Sequence, residues 1–161
     1  MILTSDLREL LLAFNEQNVE YLVVGGYAVG IHAEPRATKD LDIFVRSDAP
    51  NSEAVFRALA AYGAPLEDLT PDDFRSDPKS IFQIGVEPAR IDILQEIDGV
   101  TFDEAWSHRT KASLQGIPVH VISAEYLIKN KLASGRPQDI VDVSAIREAV
   151  QAKTAKDSDR E

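Results

Sequence analysis

The chain has 161 residues, 44% of them apolar and 27% charged, values of an ordinary globular domain long enough to bury a core without staples. It contains no cysteine, which excludes disulfides, thiol chemistry and cysteine-ligated zinc and fits a reducing compartment. Seventeen basic residues against 27 acidic ones leave a net charge of −10, which argues against a surface built for general polyanion binding, so that any nucleic acid would have to be met locally.

The start MILTSDLRELL carries an acidic early turn where a signal peptide would be basic, and no apolar run reaches membrane-spanning length. The expectation is a cytoplasmic protein with one domain over 1–150 and a polar, frayed tail over 151–161. Thr4 or Ser5 can cap a first helix whose apolar positions Leu7, Leu10, Leu11 and Phe14 recur at helical spacing. A β-branched run over 21–24 predicts a strand, and Gly25 with Gly26 breaks it where a residue lacking Cβ turns freely or lets a ligand approach the backbone. A short helix over 27–32 follows, its N-terminal N–H groups aimed at the glycine turn, an anion site by geometry. His32 at its end reads as a capping or packing residue.

Residues 39–45 alternate as a second strand. Asn51 or Ser52 can cap a helix over 53–62, and 63–80, rich in Pro, Asp and Ser, reads as a loop with one turn of helix and a candidate substrate-facing lid. Strands over 81–86 and 90–94 form a hairpin around Glu87-Pro88-Ala89, then come a turn at Asp98-Gly99 and a short helix over 102–106 with Trp106 in the core. A last hairpin pairs 109–114 with 117–121 across Gln115-Gly116. Ser123 caps a helix through Ala133, packed by Tyr126, Leu127, Ile128 and Leu132 and ended by Gly135. Pro137 opens a final helix to about Val150, with Ile140, Val143 and Ile146 inward.

The chemistry concentrates on acidic side chains. Strand periodicity puts Asp40 and Asp42 on one face and Leu41 and Ile43 on the other. Two carboxylates that close repel unless a cation sits between them, and an all-oxygen pair suits Mg²⁺ or Mn²⁺ better than zinc; a solvated strand face is the alternative. In RIDIL, Asp92 shares a strand face with Arg90 and Leu94 and needs a partner, either the Asp40/Asp42 cation or a neighbouring base. Lys131 closes its helix while Asp139 and Asp142 share a face of the next, which by itself allows a structural ion network. Arg36, Lys39, Arg46, Arg90, Lys129, Lys131 and Arg136 are the bases nearest these motifs in sequence, against a plain mixed-charge surface.

Gly-Gly, thirteen intervening residues and Asp-x-Asp on a strand resemble the signature of the DNA polymerase β-like nucleotidyltransferase superfamily. More narrowly, GGYAVGIHAEPRATKDLDI and KLASGRPQDIVDV look like its small bacterial branch of AbiEii-type toxins and minimal nucleotidyltransferases, over roughly residues 5–150. The resemblance implies an α/β (α+β) fold with a mixed sheet flanked by helices and a C-terminal helical pair. It implies Asp40, Asp42 and Asp92 as ligands of two Mg²⁺ or Mn²⁺ ions, and Gly25, Gly26, Arg36 and Thr38 at the nucleotide. Lys131 would meet the triphosphate, with Lys129 as runner-up and Arg136, Asp139 and Asp142 in support. The implied activity is transfer of a nucleoside monophosphate from an NTP to a hydroxyl of RNA, protein or a small molecule, with a cognate toxin or antitoxin protein as a further partner. A catalytically silent binding or regulatory module is the second expectation, and a phosphohydrolase is disfavoured because no histidine cluster accompanies the carboxylates.

Overall fold

A computed structural model describes residues 3–34, 40–86 and 89–159. Helix α1 (Ser5–Glu16) starts at Thr4, whose hydroxyl accepts from the Leu7 amide, and buries Leu7, Leu10, Leu11 and Phe14. Each of those side chains contributes about 1.5 to 3 kcal/mol through lost apolar exposure. Strand β1 (Tyr21–Val24) follows, buried at every position, then α2 (Gly25–His32), β2 (Leu41–Val45) and α3 (Ala49–Tyr62). A 3₁₀ turn over Pro71–Phe74 interrupts the long loop, and β3 (Ile81–Ile84) pairs antiparallel with β4 (Ile91–Leu94). Helix α4 (Phe102–Ser107), the hairpin β5 (Thr110–Leu114) and β6 (Ile117–Val121), and helices α5 (Ala124–Ser134) and α6 (Pro137–Asp159) complete the chain.

The six strands form one mixed sheet in the order β3-β4-β2-β1-β6-β5. At its centre β2 runs antiparallel to β1 and parallel to β4. Helix α1 packs on α3, and α2 packs on α5 and α6, so two helical groups bury the central strands from both sides. No helix among the described residues is long and apolar enough to cross a membrane.

Four local expectations change. The cap of α3 is Asp48, whose Oδ1 accepts from the Asn51 amide, so the helix starts earlier than Asn51 or Ser52 would have it. Asn51 is instead buried and ties two strands together: its Oδ1 accepts from Glu20 N and its Nδ2 donates to Glu20 O and Arg46 O. Leu132 and Ile140, expected inside, are about half exposed at 48% and 49%. Helix α6 continues beyond Val150 to Asp159, through most of the stretch expected to fray. Trp106 is half-buried, stacked on Phe102 with the Arg109 guanidinium over its ring.

Candidate active site

The parallel pairing of β2 with β4 sets Asp42 directly beside Asp92, and neighbours in register point to the same side of a sheet. Asp40 precedes β2 by one residue, two positions from Asp42. On the other flank Val24 pairs with Asp42, so the β1–α2 junction lies against the same carboxylate. Gly25 has φ +66°, and a Cβ built there would stand 2.2 Å from Asp42 Oδ2. Glycine is required twice over, by backbone conformation and by the approach of the acid. Helix α2 begins at Gly25 itself, two residues earlier than the pattern suggests, and its cap position is Val24, which has no side-chain acceptor. First-turn N–H groups therefore lack a side-chain cap at the edge of the cleft.

The carboxylates are strongly coupled. Burial first, then the charges of Asp92 and Asp40 and a hydrogen bond with Asp92, push the Asp42 carboxyl up to about 7, against the partial relief of Arg90. Asp92 is buried, and Asp40 Oδ1 is enclosed without a hydrogen-bond partner among the described residues. The Arg90 guanidinium spans the other oxygens: Nε donates to Asp92 Oδ1 at 3.1 Å, and Nη2 donates to Asp40 Oδ2 at 3.1 Å and to Asp92 Oδ2 at 3.4 Å. As they stand, no three Asp, Glu, His or Cys side chains among the described residues are gathered to hold a metal ion. Burial and then the Asp40 charge also raise the Tyr27 hydroxyl above its ordinary value, so Tyr27 of α2 senses the cluster.

A cleft of about 400 Å³ connects Gly25 and Asp42 to Asp98, Lys131, Arg136 and Asp139. The two sequence motifs, about ninety positions apart in the chain, thus face one space. Lys131 is buried, its Nζ at 3.3 Å from Asp139 Oδ1 and 2.9 Å from Asp142 Oδ2. Arg136, largely exposed, donates to Asp139 from Nε at 2.9 Å and from its backbone N–H, and Gln138 donates to Asp142. Interaction with Arg136 and Lys131 outweighs burial and lowers the Asp139 carboxyl.

Lys129 is not brought to the cleft: its ammonium holds Glu104 of α4 at 2.6 Å on an exposed face, where that pair and the Thr101 cap lower Glu104 to about 2. Arg36 and Thr38 lie outside the described residues. His32 donates from Nε2 to the Ile122 carbonyl at 2.6 Å, as a packing residue would, and burial lowers its pKa. The strand pattern put Arg90 on the face of Asp92 and left a neighbouring base open as its partner, but gave no sign that Arg90 also reaches Asp40. Sequence reasoning also missed Asn130 and Ser134, which line the cleft and hold Asp98 through its carbonyl and carboxylate. A roomier cleft of about 500 Å³ near Asn15, Trp106 and His120 lacks paired carboxylates, and its one acid, Glu20, is engaged by Arg46.

The sequence profile of a family described as nucleotidyltransferases of unknown function (DUF6036) matches residues 1–153. The structure is similar to that of ANT(2″)-Ia in complex with adenylyl-2″-tobramycin, with TM-score 0.59 and 16% identity over 92% of this chain and 90% of that one. It is similar to the lincosamide antibiotic adenylyltransferase LnuA in its lincomycin-bound form, with TM-score 0.57 and 18% identity over 91% and 98% of the two chains. The Thermotoga maritima protein TM1012 gives TM-score 0.58 and 15% identity over 91% of each. At these identities the likeness is one of fold. No curated protein matches the chain by sequence.

Proposed function

Because the chain belongs to this family of nucleotidyltransferases, we propose that it moves a nucleoside monophosphate from an NTP to a hydroxyl acceptor at the cleft bounded by Asp40, Asp42 and Asp92. The observation that carries the reading is the in-register pair Asp42 and Asp92 packed against Gly25, with Lys131 and Arg136 across the same cleft.

The donor chemistry of these residues suits a divalent metal. All donors are carboxylate oxygens, one of them, Asp40 Oδ1, is buried without a hydrogen bond among the described residues, and burial together with mutual repulsion drives Asp42 toward its neutral form. Two Mg²⁺ or Mn²⁺ ions held by Asp40, Asp42 and Asp92 would supply charge neutralisation for the phosphates and a lower pKa for the attacking hydroxyl. The chain's own groups account for the rest. Gly25 and Gly26 offer uncapped first-turn N–H groups of α2 to phosphate oxygens. Arg136, anchored on Asp139, reaches the cleft with its guanidinium largely exposed, which suits it to a triphosphate oxygen. Lys131, locked between Asp139 and Asp142, sets the position of that helical wall and adds positive potential behind it. The division of labour reverses the expected one, in which Lys131 grips phosphate and Arg136 supports it.

The test is to offer each α-labelled NTP with Mg²⁺ to the protein, with candidate RNA, protein and small-molecule acceptors, and to follow pyrophosphate release and the destination of the label. Label transfer that disappears in Asp42→Asn is the expected result. Equal transfer by Asp42→Asn would overturn the reading. The narrower toxin–antitoxin assignment rests on the sequence resemblance and is tested by co-purification of a cognate protein from the native host.

A second reading, the silent binding or regulatory module, is favoured by two observations: Arg90 spans Asp40 and Asp92, and Lys131 is held by two acids. Calorimetry with Mg²⁺ and NTP separates the two, since metal-dependent nucleotide binding supports the enzyme and its absence supports the module.

A further inference from the structure

Arg90 carries an inference that rests on the reading of Asp40, Asp42 and Asp92 as metal ligands. Its guanidinium takes three of the four oxygens of Asp40 and Asp92, in the forked geometry that suits this side chain to carboxylates. Asp40 and Asp92 are therefore neutralised in part by a cation that belongs to the chain. A divalent ion seeking the same oxygens meets a like charge already on them. The Arg90 backbone is pinned, because its carbonyl accepts from the Leu41 amide at 2.9 Å where β4 starts beside β2. Its side chain is not entombed; about a third of it, 33%, is exposed. Movement is thus available to the side chain without disturbing the sheet.

We propose that Arg90 is an internal counter-ion that occupies the carboxylate cluster until a divalent cation arrives with the nucleotide, whereupon the guanidinium swings off Asp40 and Asp92 onto the anionic triphosphate. Metal and nucleotide binding are then coupled through one side chain. Metal alone must displace a charge-assisted fork, whereas metal with NTP gives that fork a phosphate partner of matching shape.

The experiment titrates Mn²⁺ into wild type and Arg90→Gln, reading free Mn²⁺ by electron paramagnetic resonance, without nucleotide and with a non-hydrolysable NTP analogue. Arg90→Gln is expected to bind Mn²⁺ alone at least about tenfold more tightly than wild type, the ratio equivalent to losing one charge-assisted hydrogen bond on the competing side. The gain in Mn²⁺ affinity on adding nucleotide should be smaller in the variant. Arg90→Lys, which keeps a charge but not the fork, should fall between them and serves as the probe if the Gln variant does not fold. Without metal, Arg90→Gln should melt below wild type and recover more on adding Mn²⁺. Unchanged or weaker Mn²⁺ binding by the variants overturns the role of Arg90 while leaving the metal site standing. Failure of wild type to bind Mn²⁺ even with nucleotide removes the metal site, and the inference with it.

Discussion

Two charged clusters border the cleft, and their balance differs. Among the described residues, Asp40, Asp42 and Asp92 meet the single guanidinium of Arg90 on the strands, whereas Asp139 and Asp142 meet Lys131 and Arg136 on the helices. The helical set is matched charge for charge and its carboxylates are almost fully enclosed, Asp139 and Asp142 each at 2% exposure. Among the described residues the strand set has fewer positive than negative charges, and burial together with repulsion from Asp92 and Asp40 raises the Asp42 carboxyl. A balanced cluster can hold two helices together, while an unbalanced one is kept at a cost to stability that a bound cation would offset.

The sharpest way to break this contrast is to neutralise one acid of the strand set. Asp42→Asn should lower turnover by at least about a thousandfold, the loss expected when several kcal/mol of charge stabilisation leave the transition state, while the metal-free fold is as stable as wild type or more so. Steady-state kinetics and urea melts on the same preparation check both halves. Lys131→Met should do the opposite, costing about 3 to 5 kcal/mol of stability in a urea melt because two buried acids lose their shared cation. Gly25→Ala falls between the clusters in effect. It should cost about 1 to 2 kcal/mol for the left-handed backbone alone, and also reduce turnover by displacing the Asp42 carboxylate.

A pH series sharpens the contrast further. The folded Asp42 pKa lies above that of the unfolded chain, so the native state binds the extra proton between the two values. The stability it contributes is fully present below about pH 4 and is lost as pH rises toward about 7. Chelator-treated protein should show that decline in urea melts, and Asp42→Asn should remove the part due to this residue. The smallest effect belongs to Lys129→Met, since its partner Glu104 is on an exposed face away from the cleft; kcat/KM for the NTP should stay within about twofold.

Much of the strand cluster was legible because its signals are local. Asp40 and Asp42 follow a period of two, and a glycine pair that ends a buried strand announces a close approach. The partnership with Asp92 was not local. Fifty residues separate it from Asp42, so the strand pattern left its partner open between the Asp40/Asp42 cation and a neighbouring base, the resemblance to a family favoured the first, and the parallel register of β2 and β4 brings Asp92 beside Asp42 with Arg90 on it as well. The helical cluster defeated pattern reading for a specific reason. On α6 the buried positions are Asp139, Asp142, Val143 and Ile146, a regular helical stripe whose first two members are acids. An apolar stripe drawn through Ile140, Val143 and Ile146 is turned by a residue from the buried one, so Ile140 reads as inward and is half exposed. Leu132 failed likewise beside buried Lys131. At α3, Asn51 and Asp48 both have capping chemistry, and only the strand ends at Glu20 and Arg46 decide which one serves.

The strand order has a consequence for how such a protein diversifies. Asp42 and Asp92 ride on adjoining inner strands, and Gly25 follows directly from the next one, whereas the outermost strands β3 and β5 each end in a hairpin at the margin. Insertions or altered side chains at those margins can reshape what the protein accepts while leaving the spacing of the inner acids untouched.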